Sequence, residues 1–423
     1  MKPIRIRNLH IRRRSLPQVL ASVIFLMPFL LAVLIDFLGL PSAIKYSIDV
    51  AWIGLLILTI VKRRIQFDRK LLPLVLVVIG FFAYTLLIYC FRFQSPAYYL
   101  WGFRNNFRFY IAFFAFLTYF DEEEVNSLFR LIDVLFWVNA AVSAVQYFIL
   151  GYQQDYLGGL FGVETGCNAY TIIFYSVVLI KSILGMMNGT ETMSACLIRC
   201  MVALGFSALA ELKVFFLLFV MILVVTAVLT KFSWKKCLLF IAAGAFVSCG
   251  SLILSELFGS SSNLSLERIL ELIFAPSYSS TSDLGRLTAI PIISETILTD
   301  PISRLFGLGL GNCDTASFAI CNTPFYQNHS QLHYTWFSSA FLFLETGFLG
   351  LIMYLSFFVI VFISAVRQMR KGSGNLLHCQ MAVVISAVCI ALTFYNSSLR
   401  MEVGYIAYFA LSLPFVGRKK QGK

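Results

Sequence analysis

The chain has 423 residues, of which 59% are hydrophobic and 13% charged, and its formal net charge is +12. Its mean hydropathy of +0.83 excludes an ordinary soluble domain, which could not bury so much apolar surface. Apolar runs of about 20 residues, each long enough to cross about 30 Å of hydrocarbon, predict an all-α polytopic membrane protein. They exclude an outer-membrane barrel, whose segments are about 10 residues long and alternate. The positive charge lies mainly in short loops, so it does not indicate nucleic-acid binding.

About twelve transmembrane helices are predicted, one for each apolar run. In chain order the runs are 16–38, 47–61, 71–90, 103–120, 130–150, 167–186, 194–210, 212–230, 237–257, 347–366, 377–395 and 403–417. This pattern predicts a membrane domain over 1–257 with about nine spans, one large external loop over 258–346 with short helices, and a membrane domain over 347–423 with about three spans.

Basic residues in the short loops predict the orientation of the chain, because Lys and Arg favour the cytoplasmic side. All the basic segments fall on one side of a twelve-span arrangement. They are the N-terminal "MKPIRIRNLHIRRR", "KRRIQFDRK" (62–70), "KFSWKK" (231–236), "RQMRKG" (367–372) and the tail "GRKKQGK". Both termini are therefore predicted to be cytoplasmic.

The large loop is too long for a structureless connection, so it is predicted to carry function. "SLERILELIF" (265–274) and "GRLTAIPIISETIL" (285–298) are typical of short amphipathic helices. Cys313 and Cys321 lie in the same loop and are either a disulfide or two free thiols. The glycines of "FGLGLGN" lack the GK[ST] of a phosphate-binding loop and are read as flexible backbone packed near a site.

Two histidines and a carboxylate lie in "NHSQLHYTWFSSAFLFLETGFLG" (328–350). His329 and His333 are four residues apart and would share a face if they were on one helix. A zinc site is disfavoured because the Glu of HExxH is missing. General acid–base catalysis suits an imidazole, and a structural histidine is the other interpretation. Counting back from the inward charge at Arg367 places Glu345 at the outer mouth of a span.

Several cations run against the positive-inside trend and are predicted to lie on the outer side. They are Arg104, Arg108, Lys213, Arg268, Arg286, Arg304 and Arg400. Each alone is explained by snorkelling or by a local ion pair. Together they indicate an anionic ligand, since arginine offers bidentate geometry to phosphate. Some aromatics outside the spans are candidates for stacking on sugar rings, namely Tyr98, Tyr99, Trp101 and Trp336.

The order of these motifs resembles the bacterial O-antigen polymerase (Wzy) and O-antigen ligase superfamily from about residue 100 onward. The motifs are "RNNFRFY", "GLFG…GCNAY", "ELKVFF", "GRLTAI", "GLGLGN", a histidine, "FLETGFLGLI" and "RMEVG". The resemblance implies a metal-independent membrane glycosyltransferase of the GT-C type, without a cofactor. Such an enzyme moves a glycan from undecaprenyl diphosphate to an acceptor at the outer face of the bacterial inner membrane.

The resemblance also implies roles for individual residues. The family's diphosphate-binding arginine matches Arg286, with Arg108 and Lys213 next, and Arg104 and Arg400 complete the cationic set. The family's loop histidine matches His333 best. The spacing to Glu345 is longer here than in the family and no Asn follows the histidine, so His329 and His333 both stay candidates. Glu345 is expected to orient the imidazole or a helix end.

Polysaccharide polymerase is preferred over O-antigen ligase, because no feature specific to a lipid A-core acceptor is present. The expected partners are the undecaprenyl diphosphate-linked oligosaccharide, membrane lipid and a chain-length regulator protein. A flippase for lipid-linked glycans is the alternative of another class, and it predicts mid-membrane charges and broken helices. A structural membrane subunit would leave the outward cations unexplained.

Overall fold

The computed structural model describes residues 15–61, 70–92, 94–231, 234–258, 274–275, 277, 283–315 and 321–417, and its regular structure within these ranges is helical. The helices are α1 (Leu16–Ala32), α2 (Ser47–Val61), α3 (Leu72–Arg92), α4 (Pro96–Tyr119), α5 (Glu122–Phe148), α6 (Asn168–Met187), α7 (Met193–Leu209), α8 (Lys213–Leu229), α9 (Trp234–Phe258), α10 (Ala289–Thr296), α11 (Pro301–Phe306), α12 (Pro324–His329), α13 (Ser338–Arg370), α14 (Leu376–Tyr395) and α15 (Gly404–Ser412). The all-α prediction is confirmed, and a helix coincides with each of the predicted apolar runs.

Seven helical segments of the described chain are long and apolar enough to cross a membrane. They are Leu16–Phe37, Ser42–Val61, Leu72–Arg92, Glu122–Phe148, Asn168–Met187, Ser338–Arg370 and Leu376–Tyr395. Helices α7 and α8 are apolar but have only 17 residues each. The 24-residue α4 carries two arginines and is not among the seven. The structure therefore supports a polytopic membrane protein, and the number twelve goes beyond these seven segments.

Within the predicted loop, α10 lies inside the predicted amphipathic segment 285–298, as expected. Its neighbour α11 begins with an aspartate cap, because Asp300 accepts a hydrogen bond from the backbone of Ser303 at 2.8 Å. The other predicted loop helix, 265–274, lies outside the described residues except at its last position. Arg268, which belongs to this segment, therefore also lies outside the described residues.

The bundle has two chemically different ends. One end, called the polar end, is defined by Arg104 near the start of α4, Tyr170 near the start of α6 and the 396–403 turn after α14. The opposite end is defined by the last residue of α4, by Asn188 after α6 and by Gln380 near the start of α14. There the hydroxyl of Tyr119 lies 2.8 Å from that of Thr59, and the amide of Asn188 donates to Gln380 at 2.8 Å. This is the basic end, since the basic segments 62–70, 231–236 and 367–372 adjoin helix ends there in the sequence.

A break in α13 receives part of the glycine loop 307–313. Gly347 has φ +62° and ψ −168°, so the helix stops and restarts there. The freed carbonyls of Leu344 and Glu345 accept from the amides of Leu308 and Gly309 at 2.8 and 2.9 Å. A Cβ on Gly347 would lie 2.4 Å from the Leu305 carbonyl. These glycines serve close backbone packing, consistent with the interpretation made from the sequence.

Residues 157–162 form a segment that is buried in the bundle and contains no α-helix, only a one-turn 3-10 helix over Gly159–Phe161. Its polar backbone is satisfied by side chains of α5: the amide of Gln146 both accepts from the N–H of Gly159, at 2.7 Å, and donates to its carbonyl, at 2.9 Å. Asn139 accepts from Leu160 N–H at 2.8 Å and donates to the Tyr175 hydroxyl at 2.9 Å. Irregular backbone at this depth is stable only where the protein supplies such partners. The sequence predicted only an outward turn here.

Candidate functional site at the polar end

Arg104 is held by a carboxylate from the neighbouring helix. Its Nε and Nη2 donate to Asp49 at 2.9–3.1 Å, and the guanidinium lies 4.8 Å from the ring of Trp101. The geometry is bidentate, which is the arrangement that arginine makes most strongly. Any phosphate that bound Arg104 would have to displace Asp49.

Arg108 is the most deeply buried of the predicted site cations, with 3% of its side chain exposed. It donates to Glu402 at 3.2 Å and to the carbonyl of Arg400 at 2.9 Å. Glu402 also accepts from the Tyr170 hydroxyl at 2.9 Å. Burial alone would raise the pKa of Glu402, but the Arg108 guanidinium outweighs it and, with the hydrogen bonds to this carboxylate, holds that pKa below its ordinary value. This network joins α4 to α6 and to the 396–403 turn.

Arg400 lies over an aromatic ring and beside a third carboxylate. Its guanidinium carbon is 3.3 Å from the centroid of Phe341, and its Nη2 is 3.6 Å from Asp314. Asp314 also accepts from the Asn105 amide at 2.7 Å. The glycine loop is thereby tied to α4 and to the 396–403 turn at the same point.

Lys213 and Arg286 also lie at the polar end, in different surroundings. Lys213 pairs with Glu211 at 3.0 Å in the turn between α7 and α8. The Arg286 guanidinium lies 4.1 Å from the ring centroid of Tyr395, and 8% of the residue is exposed. A cation over an aromatic face is attracted by the ring quadrupole, so Tyr395 fixes the place of this arginine.

The two histidines have different environments, and they do not share a helical face. His329 ends α12, where its Nδ1 lies 3.1 Å from the Phe325 carbonyl and its ring stacks on Phe325 at 4.4 Å. His333 follows a separate turn and has φ +50°. That left-handed backbone is uncommon for a residue with a side chain and costs about 1–3 kcal/mol, which the surrounding structure must offset. His329 therefore has local structural partners, whereas His333 is held in a strained position.

The backbone of His333 is fixed on both sides. Its N–H donates to the Ser330 carbonyl at 3.0 Å, and its carbonyl accepts from Trp336 N–H at 3.0 Å. The imidazole stacks on Trp336 with 4.0 Å between ring centroids and 13° between planes. Among the described residues the imidazole makes no hydrogen bond.

One backbone hydrogen bond brings the histidine segment beside the arginine segment. The N–H of Leu284 donates to the carbonyl of Leu332 at 3.1 Å. Leu284 is two residues before Arg286, and Leu332 is immediately before His333. The segments that carry Arg286 and His333, the two residues that the family resemblance singled out, are therefore adjacent through their backbones.

Glu345 is fully buried and contacts the glycine loop. Its Oε1 accepts from the N–H of Gly311 at 2.9 Å and from that of Cys313 at 3.3 Å, while its Oε2 has no hydrogen-bond partner. The loop covers this carboxyl group, and its position at the outer mouth of the span stays a prediction. Within the described part of the chain it contacts neither histidine, and it orients the glycine loop.

The cysteines of the loop are free thiols in this structure. Burial raises the pKa of Cys313, with Glu345 and Asp314 adding to the effect, and so keeps this thiol protonated and unreactive. Its carbonyl accepts from the buried hydroxyl of Tyr334 at 2.6 Å. Among the described residues, no three His, Cys, Asp or Glu side chains gather where they could bind a metal ion.

Sequence reasoning identified the cations at this end, and the local pair of Lys213 with Glu211 was visible in the turn between α7 and α8. It missed the partners of Arg104, Arg108 and Arg400, because each of these pairs joins residues far apart in the chain, namely Arg104 with Asp49, Arg108 with Glu402 and Arg400 with Asp314. The sequence offered one signal for these partners: single acidic residues lie next to apolar runs. A charge within or near the membrane needs a partner, so such acidic residues are candidates for pairing with the cations.

The chain matches no protein-family model, and none of the curated proteins compared with it is similar.

Proposed function

We propose that the chain is a metal-independent bacterial membrane glycosyltransferase that polymerises undecaprenyl diphosphate-linked oligosaccharide repeats into a surface polysaccharide, O-antigen or capsule. The observation that carries this proposal is the hydrogen bond between Leu284 and Leu332, which places Arg286 and His333 on adjacent segments at the polar end. A candidate base and a cation on adjacent segments suit the transfer of a glycosyl group from a diphosphate leaving group.

In the proposed reaction, the acceptor hydroxyl loses its proton to the His333 imidazole as its oxygen bonds to the anomeric carbon of the donor. The bond from that carbon to the phosphate oxygen breaks, and the lipid diphosphate leaves with the bonding electrons. Arg286 offsets the charge that develops on the leaving group. His333 is preferred over His329, because Nδ1 of His329 lies 3.1 Å from the Phe325 carbonyl of its own helix, whereas no such partner is found for the His333 imidazole among the described residues.

Four other cations have a positioning role in this proposal. Arg104, Arg108, Lys213 and Arg400 each lie beside a carboxylate at the polar end. We propose that they hold the loop and the 396–403 turn around Arg286 and His333. Glu345 has the same kind of role through the glycine loop.

The proposed orientation follows from the two ends of the bundle. The basic segments adjoin the end opposite to the candidate site, so the positive-inside trend favours a cytoplasmic basic end and a polar end on the outer face of the inner membrane. With helices α1–α9 and α13–α15 crossing, there would be twelve spans and two cytoplasmic termini. A tag between residues 263 and 314 that reacts only with cytoplasmic reagents would contradict this orientation.

The test of the proposed activity compares His333→Ala with His329→Ala in a transfer assay with purified protein and the lipid-linked repeat. Loss of a positioned base lowers the rate by about 10²–10⁴-fold, so His333→Ala should fall in that range while His329→Ala stays within a few fold of the parent. Arg286→Lys keeps the charge but loses the bidentate geometry, and should fall less than Arg286→Ala. Full activity of His333→Ala would refute the assignment of the base.

A deletion strain separates the proposed polymerase from the ligase and flippase alternatives. Surface glycan that carries single repeats indicates loss of a polymerase. Long chains that stay on the lipid carrier indicate loss of a ligase, and accumulation of repeats on the cytoplasmic leaflet indicates loss of a transporter. Only the first outcome agrees with the proposal.

A further inference from the structure

An exposed tryptophan lies against the proposed base. Trp336 is 39% exposed, although it belongs to the turn that ends at the start of the buried first part of α13. One face of its indole is covered by the His333 ring, at 4.0 Å and 13°. The neighbours of the tryptophan along the chain anchor this turn in the core, because Tyr334 is buried and Phe337 is 2% exposed.

The stacked pair lies where the backbone is left-handed. Two successive one-turn helices, Ser330–Leu332 and Tyr334–Trp336, meet at His333 with φ +50°. From this position the imidazole stacks on the indole. A strained residue that is held by its surroundings points to a functional requirement for the side chain that it places.

We propose that Trp336 is the acceptor-sugar platform of the site: one pyranose ring of the incoming glycan stacks on the exposed part of the indole, and a hydroxyl of the adjoining sugar reaches His333 past the edge of the indole. This inference rests on the proposed function. The apolar C–H face of a pyranose complements a flat aromatic surface, and the indole offers a large and rigid one. Because the imidazole lies 4.0 Å from the indole, the sugar next to the stacked one is within reach of the proposed base.

The competing explanation is an interfacial tryptophan that anchors the protein at the membrane surface. Such an anchor depends on apolar area and on an indole N–H, and its replacement would alter insertion or stability but not acceptor use. The chain offers a matched control, because Trp137 on α5 is 44% exposed and no histidine ring of the described residues stacks on it.

The first experiment measures binding without activity. The five tryptophans are labelled with 5-fluorotryptophan in protein reconstituted in nanodiscs, and Trp336→Phe identifies the ¹⁹F resonance of Trp336. The probe is the oligosaccharide repeat released by mild acid from the lipid-linked intermediate of the strain that encodes the chain. A saturable shift of the Trp336 resonance, with the Trp137 resonance unmoved, supports the platform, and no shift overturns it.

The second experiment measures acceptor use. Trp336→Leu should raise the acceptor KM about 3- to 10-fold, the range expected for loss of one aromatic stack, and should change kcat far less than His333→Ala does. Trp336→Phe keeps a flat ring and should lie between Trp336→Leu and the parent, while Trp137→Leu should leave KM unchanged. If the acceptor KM of Trp336→Leu equals that of the parent, the inference is overturned. A loss of folded yield in both Trp336→Leu and Trp137→Leu, with KM unchanged, would indicate two interfacial anchors instead.

The two experiments separate the platform from the activity. If the Trp336 resonance shifts but the parent protein transfers no sugar, the proposed function fails and the sugar-binding site stands. If the parent transfers sugar but the resonance does not move, the proposed function stands and the platform fails.

Discussion

Replacement of Glu345 tests whether its side chain acts in catalysis or holds the glycine loop in place. Its Oε1 accepts two backbone N–H groups, from Gly311 and Cys313, in a fully buried place. Glu345→Ala would leave both donors unpaired at about 1–3 kcal/mol each, so the loop should lose about 2–6 kcal/mol of local stability. Glu345→Gln keeps an oxygen for both donors and replaces the unpartnered Oε2 by an amide nitrogen. Its cost should stay under about 1 kcal/mol.

Hydrogen exchange followed by mass spectrometry measures this difference directly, on a peptide that covers residues 307–313. A loss of 2 kcal/mol in the free energy of opening corresponds to about 30-fold faster exchange, so Glu345→Ala should exceed that factor. The matched control is Gln94→Ala, which removes one hydrogen bond to the Leu310 carbonyl in the same loop and should accelerate exchange by only about fivefold.

The outcome for Glu345→Gln decides the reasoning. We expect near-parent exchange and turnover within a few fold of the parent, because the loop stays in place. A Gln variant that exchanges as slowly as the parent but has lost turnover by about 100-fold or more would refute the loop-holding role and indicate a chemical role for the carboxylate. Unchanged exchange in Glu345→Ala would show that Oε1 does not hold the loop.

The remaining predictions concern stability and are measured as apparent melting temperature by fluorescence-detected size-exclusion chromatography. Gly347→Ala should destabilise the protein more than Gly372→Ala, since both glycines have φ near +60° but only the first would place a Cβ against a backbone carbonyl; equal melting temperatures would show that the contact relaxes freely. Arg108→Met should cost about 3–5 kcal/mol by leaving the Glu402 carboxylate buried without its cation, and adding Glu402→Gln should restore part of the loss; no recovery in the double variant would contradict the pairing. Gln146→Leu should cost about 2–6 kcal/mol, because the N–H and carbonyl of Gly159 lose their partner, whereas Val145→Leu on the exposed side of α5 should change little; similar melting temperatures for the two would argue against the buried segment.

Helix positions could be predicted from the sequence because each depends on a local property, the length of an apolar run. The prediction of 377–395 differs by one residue from Leu376–Tyr395. For α4 the prediction began at 103, seven residues late, because the missed residues "PAYYLWG" contain a proline, a glycine and several aromatics, which are typical of an outward connection. Pro96 instead begins the helix, where its missing N–H is not needed, and Gly102 packs against the backbone of Gly311.

The candidate site was less predictable, since its contacts join residues that are far apart in the chain. Arg108 and Glu402 are 294 positions apart, and Asn105 and Asp314 are 209 apart. A single sequence shows that each charge needs a partner but does not show which one. The different environments of His329 and His333 were also not predictable from their four-residue spacing. The helix ends at His329, and His333 lies between two separate one-turn helices, so the two side chains have different neighbours.

The segment 157–162 has a consequence for how the protein is made. Its contacts come from three helices: Asn139 and Gln146 of α5 bond its backbone, while Phe161 packs on Phe29 of α1 and Phe174 of α6. The segment can therefore be buried only when α1, α5 and α6 are assembled together. Until then the amide side chains of α5 lack the backbone partners that they have in the folded protein.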